Sequence, residues 1–137
     1  MIVLLIIQWR NTVAKAVIRI HEGELNIMEL LWSNKSLPAK DVAKIIKEYI
    51  GWEKNTTYTV INRLIKKGAI KREDPGFICI PLISKKRVQD IETEILIKTL
   101  FEGSFSKFIH DYAMNKGLSK AERMELLRVA NDKMFMR

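Results

Sequence analysis

At 137 residues, 47% hydrophobic and 29% charged with six Gly and three Pro, the chain has a globular composition and is sized for one domain or two small interdependent ones. Its net charge of +8 leaves the fold open but favours an anionic partner, nucleic acid or a membrane surface. A single cysteine, Cys79, excludes an intrachain disulfide and a cysteine-built metal site, as in a cytoplasmic protein.

Residues 1–19 form an N-terminal extension of unassigned role. Its apolar run, MIVLLIIQW, is shorter than the about 20 residues a bilayer span needs. It also lacks the basic leader and small-residue cleavage site of a signal peptide. It reads as an extra strand or helix capping the core, as a tail added by an upstream start codon, or as an interfacial anchor; no membrane partner is expected.

From Glu22 to Trp32, Leu25, Ile27, Met28, Leu31 and Trp32 recur at helical spacing, and SNKSLP breaks the pattern. Pro38 suits the start of a second helix, where its missing N–H costs nothing. That helix runs to about Tyr49 with Val42, Ala43, Ile45, Ile46 and Tyr49 inward, and Gly51 ends it. A third helix starts between Glu53 and Thr56, with Asn55 as a candidate cap. Thr57, Val60, Ile61, Leu64 and Ile65 face its core side, and Gly68 stops it. AIKRE, DPG and FICIPLI read as a β-hairpin around a Pro-Gly turn, with Cys79 a buried small hydrophobe. Ser84 opens a fourth helix striped by Val88, Ile91, Ile95 and Leu96, broken near Gly103. Phe105, Phe108, Ile109 and Tyr112 mark a fifth helix ending at Gly117. SKAE, a capping-box pattern, opens a sixth that carries Met124 and Leu127.

Three helices and a hairpin make a winged helix-turn-helix. The fold class is mainly α with a small β-hairpin wing (α+β): a winged-helix DNA-binding domain over 20–83, then a three-helix dimerisation domain over 84–137. Between Lys35 and Arg72 there are ten Lys/Arg against three Asp/Glu, so the positive charge gathers around the third helix. In this arrangement that helix enters the major groove of double-stranded DNA. With Val60, Ile61 and Leu64 inward, Thr56, Tyr58, Thr59, Asn62 and Arg63 turn toward the groove or its rim, with Asn55 in the first turn. Asn pairs with adenine, Thr offers hydroxyl or methyl, and Arg grips guanine or phosphate. Lys66, Lys67, Lys71 and Arg72 supply positive charge, and Gly76 lets the hairpin tip approach the DNA backbone closely.

The last three helices hold more apolar side chains than they can bury alone. Ile91, Ile95, Leu96 and Phe101, together with Phe105, Phe108, Ile109, Tyr112 and Leu127, are therefore expected at a homodimer interface. Two-fold symmetry would then present two reading helices to two half-sites of an operator.

GELNIMELLW, LPAKDVAKII and WEKNTTYTVINRLIKKGAIKRE with its DPGFICIPLIS hairpin resemble the penicillinase-repressor (BlaI/MecI) family, over roughly Ile20 to Lys133. The resemblance implies a homodimeric transcriptional repressor on dyad operators of β-lactam resistance or related genes. By position it puts Asn55, Thr56, Tyr58 and Thr59 at the family's base-reading places, Tyr58 standing where a basic residue is frequent. Arg63 matches a recurrent Arg. The resemblance also implies release by a sensor-linked protease that cuts the first helix of the dimerisation domain. The cut falls at Ile95-Leu96 here, without the Asn of the family's Asn-Phe bond. The cysteine cluster of the copper-responsive branch is absent.

Two alternatives remain at this level: another winged-helix regulator responding to a small ligand, and a winged helix used for protein–protein contact. An enzyme is not expected, since His21 and His110 are distant, Cys79 sits in a strand, and no phosphate-cradling glycine loop or metal spacing occurs. No cofactor is implied.

Overall fold

A computed structural model of the chain describes residues 2–5, 7–8 and 17–133. It divides into two compact units, Met1–Ile95 and Leu96–Arg137. The fold is mainly α with one small antiparallel sheet, the α+β class read from the sequence.

The first unit begins with the N-terminal extension. Residues 2–5 and 7–8 are helical, and Ile2, Val3, Leu4 and Leu5 are exposed instead of capping the core. Residues 9–16 of that extension lie outside the described residues. Then follow α1 (Glu22–Asn34), β1 (Leu37–Pro38), α2 (Ala39–Tyr49), α3 (Lys54–Lys67), β2 (Ile70–Glu73), β3 (Ile78–Pro81) and α4 (Lys85–Leu100). His21 caps α1, and its N–H is accepted by the Glu24 carboxylate at 2.9 Å. Ile27, Met28 and Leu31 of α1, Val42 of α2, and Ile61 and Leu64 of α3 are fully buried together. At about 1.5–3 kcal/mol for each large aliphatic side chain removed from water, this shared core holds the three helices in place.

The hairpin forms as β2 and β3, with Ile70 opposite Pro81 and Glu73 opposite Ile78. A strand not anticipated from the sequence joins it: β1 pairs with β3, so the order is β1-β3-β2 and the strand that holds Cys79 is central. Pro38 therefore belongs to this short strand and caps α2 instead of entering it, while the Ala39 N–H donates to the Phe77 carbonyl at 2.9 Å. Tyr49 also departs from expectation. It stands exposed in the last turn of α2, at the rim of a groove of about 320 Å³ between α1 and α2. The Trp32 indole N–H donates to the Ile83 carbonyl at 2.9 Å, tying α1 to the chain as it leaves the wing for α4. Cys79 is fully buried, as expected, and burial pushes its thiol pKa up to about 11.

The second unit holds the end of α4, α5 (Phe105–Lys116) and α6 (Lys120–Asn131). Ser104 and Ser119 cap α5 and α6, their hydroxyls accepting the N–H groups of Lys107 and Glu122 at 3.0 and 3.1 Å. No residue of α5 or α6 is buried in the single chain. Phe108 sits among Phe101, Phe105 and Tyr112, its ring 5.1 Å from that of Phe101. Beside it an apolar groove of about 420 Å³ opens, lined by Phe108, Ile109, Tyr112, Leu118, Leu126 and Val129.

Candidate nucleic-acid interface

The α3 helix carries two opposed stripes. Thr57, Val60, Ile61 and Leu64 are buried, and Gly68 in the left-handed region (φ 84°) closes the helix after them. Asn55, Thr59, Asn62 and Lys66 recur at i, i+4, i+7 and i+11, so they share the outer face, and all four are exposed. Thr56 and Arg63, seven residues apart, flank that stripe and are exposed as well. The N-cap is Glu53, not Asn55. Asn55 is thus a first-turn residue whose amide is not spent on capping. The Thr59 hydroxyl donates to the Asn55 carbonyl at 2.9 Å, which leaves its lone pairs and methyl outward. Arg63 and Lys66 form no ion pair with another described residue, so both cations are available at the edge of the stripe.

Three sequence-assigned residues are engaged elsewhere. Tyr58 is half-buried, its ring edge-on to Phe77 at 5.7 Å and 85°, so it packs against the wing instead of standing on the outer face. Lys54, which the sequence reading passed over, lies 5.7 Å above the same ring. Lys67 is not a free cation. Its ammonium donates to Glu24 Oε1 at 2.6 Å and to the Arg19 carbonyl at 2.7 Å. The cause is Glu24, only 1% exposed, which needs a compensating charge. Burial raises the Glu24 pKa, but the hydrogen bonds from Lys67 and from the His21 N–H outweigh it and hold the carboxyl below its ordinary value. Arg72 forks onto Asp74, with Nε 3.0 Å from Oδ2, and stacks on the Phe77 ring at 3.8 Å. The Arg72 bond holds the Asp74 carboxyl below its usual range.

Phe77 is the residue the sequence reading missed: it meets Tyr58 of α3 in a T-shaped contact and carries Arg72 over its ring. The signal available was an aromatic residue directly after the turn glycine. Gly76 sits exposed at the wing tip with φ 98°, a conformation that suits glycine. Among the dimer candidates, Ile91 and Ile95 are buried in the single chain, 6% and 9% exposed. Phe105, Tyr112 and Leu127 are exposed, Leu96 is 39% exposed, and Phe101, Phe108 and Ile109 are half-buried.

The penicillinase repressor family model matches residues 20–132, from just before α1 to the end of α6. The chain belongs to the penicillinase repressor family. It is 25% identical over 120 residues to the penicillinase repressor of Bacillus licheniformis, covering 86% of this chain and 94% of that protein. It is 26% identical over 116 residues to the methicillin resistance regulatory protein MecI of Staphylococcus aureus (strain N315), covering 83% and 94%. A penicillinase repressor of Staphylococcus aureus is 26% identical over 117 residues, covering 84% and 93%. Family membership makes this a DNA-binding transcription regulator of the repressor kind. No helix among the described residues is long and apolar enough to cross a membrane.

Proposed function

We propose that this protein represses transcription as a homodimer bound to a dyad operator in double-stranded DNA. The observation that carries the reading is the exposed Asn55, Thr59, Asn62 and Lys66 stripe on a helix whose opposite face is locked into the core. Asn55, Thr56, Thr59 and Asn62 read base edges. Arg63 and Lys66 meet phosphates or guanine, and Gly76 brings the wing tip to the backbone. Arg72 joins them by exchanging Asp74 for a phosphate. The names of the relatives point to a β-lactam resistance gene as the class of target.

The second copy is supported by the uncovered apolar faces of α5 and α6 and the groove between them. Cutting at Ile95-Leu96 is the release route that the family resemblance implies. This bond coincides with the border between the two units, which supports the route, because one cut parts the reading helix from the α5 and α6 faces. It also lies inside α4, so the helix must open locally before a protease reaches it.

Selection of bound fragments from the source genome, followed by gel shifts across a salt series, tests the proposal. The expected result is an inverted-repeat site whose log affinity falls against log salt with a slope of about −0.9 per phosphate contacted. Retention of no fragment, or of fragments without a repeat, overturns it.

A further inference from the structure

Resting on the dimer reading above, the geometry points to Arg19 as a positioning residue that fixes how α4 leaves the reading unit, and hence how far apart two reading helices are held. Arg19 works with both its backbone and its side chain. Its carbonyl accepts the Lys67 ammonium, at the C-terminal end of the reading helix, at 2.7 Å. Its guanidinium forks onto Glu92 of α4, with Nε 3.0 Å from Oε1 and Nη2 2.8 Å from Oε2. One residue therefore joins the end of α3 to the helix that continues, unbroken, past the border of the first unit.

The residues on either side hold Arg19 in place. Ile20 is buried in the core, and Ile18 packs on that core with its Cδ1 facing Gly68 at the end of the reading helix. Lys67 is fixed in turn by the buried Glu24, which also accepts the His21 N–H. The strap 18–21 is thus pinned between α1 and α3, and its one long outward side chain reaches α4. Arg19 and Glu92 are each more than a third exposed, so as a salt bridge the pair contributes little to stability. Two parallel bonds between planar groups, however, fix direction as well as distance. Direction matters to a dimer on DNA, because both reading helices must meet half-sites a set number of base pairs apart. A linked pair loses its avidity when the geometry forbids simultaneous engagement.

The test uses the full chain with a duplex selected from a random-sequence library by the unmodified protein, versions of that duplex with the half-site spacing changed by single base pairs, and a duplex holding one half-site. Arg19→Ala and Glu92→Gln are each expected to lower affinity for the selected dyad by about tenfold and to flatten the spacing preference. They should leave half-site affinity within about twofold and sedimentation as a dimer unchanged. The charge-swapped pair Arg19→Glu with Glu92→Arg is expected to restore the preference. Dyad and half-site affinities falling together, or a spacing preference that survives both single variants, overturns the strap. Unmodified protein that sediments as one copy, or binds all spacings equally, overturns the dimer reading and the strap with it.

Discussion

The two units use apolar residues in opposite ways. In the first, large aliphatic side chains from α1, α2, α3 and the sheet are fully enclosed by their own chain. In the second, α5 and α6 enclose none of theirs, and Leu100, Phe105, Met124 and Leu127 are each at least 60% exposed. The contrast separates a part that encloses its own apolar side chains from a part that leaves them open. Ile95, expected from the sequence at the subunit contact, is 9% exposed in the single chain, unlike these open side chains.

The strongest way to break the contrast is therefore a charge on the open faces. Phe105→Asp combined with Leu127→Asp should convert a dimer to a single copy by sedimentation. It should weaken dyad binding by roughly 10²- to 10⁴-fold while half-site binding persists. Next comes a cavity in the enclosed core. Leu64→Ala, on the buried face of α3, should cost about 2–5 kcal/mol in denaturant unfolding of the first unit. On the outer face of the same helix, Asn62→Ala should leave that unfolding curve in place. It should relax preference at one base pair of each half-site by about 1–3 kcal/mol, read by competition gel shift. The smallest effect concerns Thr57, whose hydroxyl is buried without a partner among the described residues. Thr57→Val should raise stability by about 1 kcal/mol, seen as a higher Tm with unchanged operator binding.

An acid titration sharpens the same contrast. The folded-state carboxyl of Glu24 lies below its ordinary value of 4.5, so its contribution is complete above that pH and is lost as pH falls through the lowered value. Melting curves of the unmodified protein should therefore decline on the acid side more steeply than those of Glu24→Gln. Parallel curves would remove Glu24 from the account.

The helix order, the wing and the division of α3 into a buried and an exposed face were legible because each rests on local periodicity or a local stop: the stripe from Thr57 to Leu64, Gly68 after two lysines, the capping serine before α6. What was not legible depends on residues far apart in the chain. Lys67 looked like a phosphate cation because nothing nearby in sequence claims it; its partner Glu24 is 43 positions away. Arg19 and Glu92 are 73 apart, on segments whose patterns do not mention each other. The strand β1 escaped because two residues carry no period, and Pro38 pointed to a helix start. Tyr58, whose spacing turned it toward the groove or its rim, meets Phe77 of the wing, a contact that the period of α3 does not show.

Cys79 has one further consequence. With a pKa of about 11 and no exposed surface, its sulfur is almost wholly in the unreactive thiol form at neutral pH and is enclosed in the core. Peroxide or a maleimide should pass it by while the fold is intact. A new cysteine placed on an exposed position of α6 would then be the single labelling point in each copy, and a dye there could report pairing of the chains directly, with no need to remove the native sulfur.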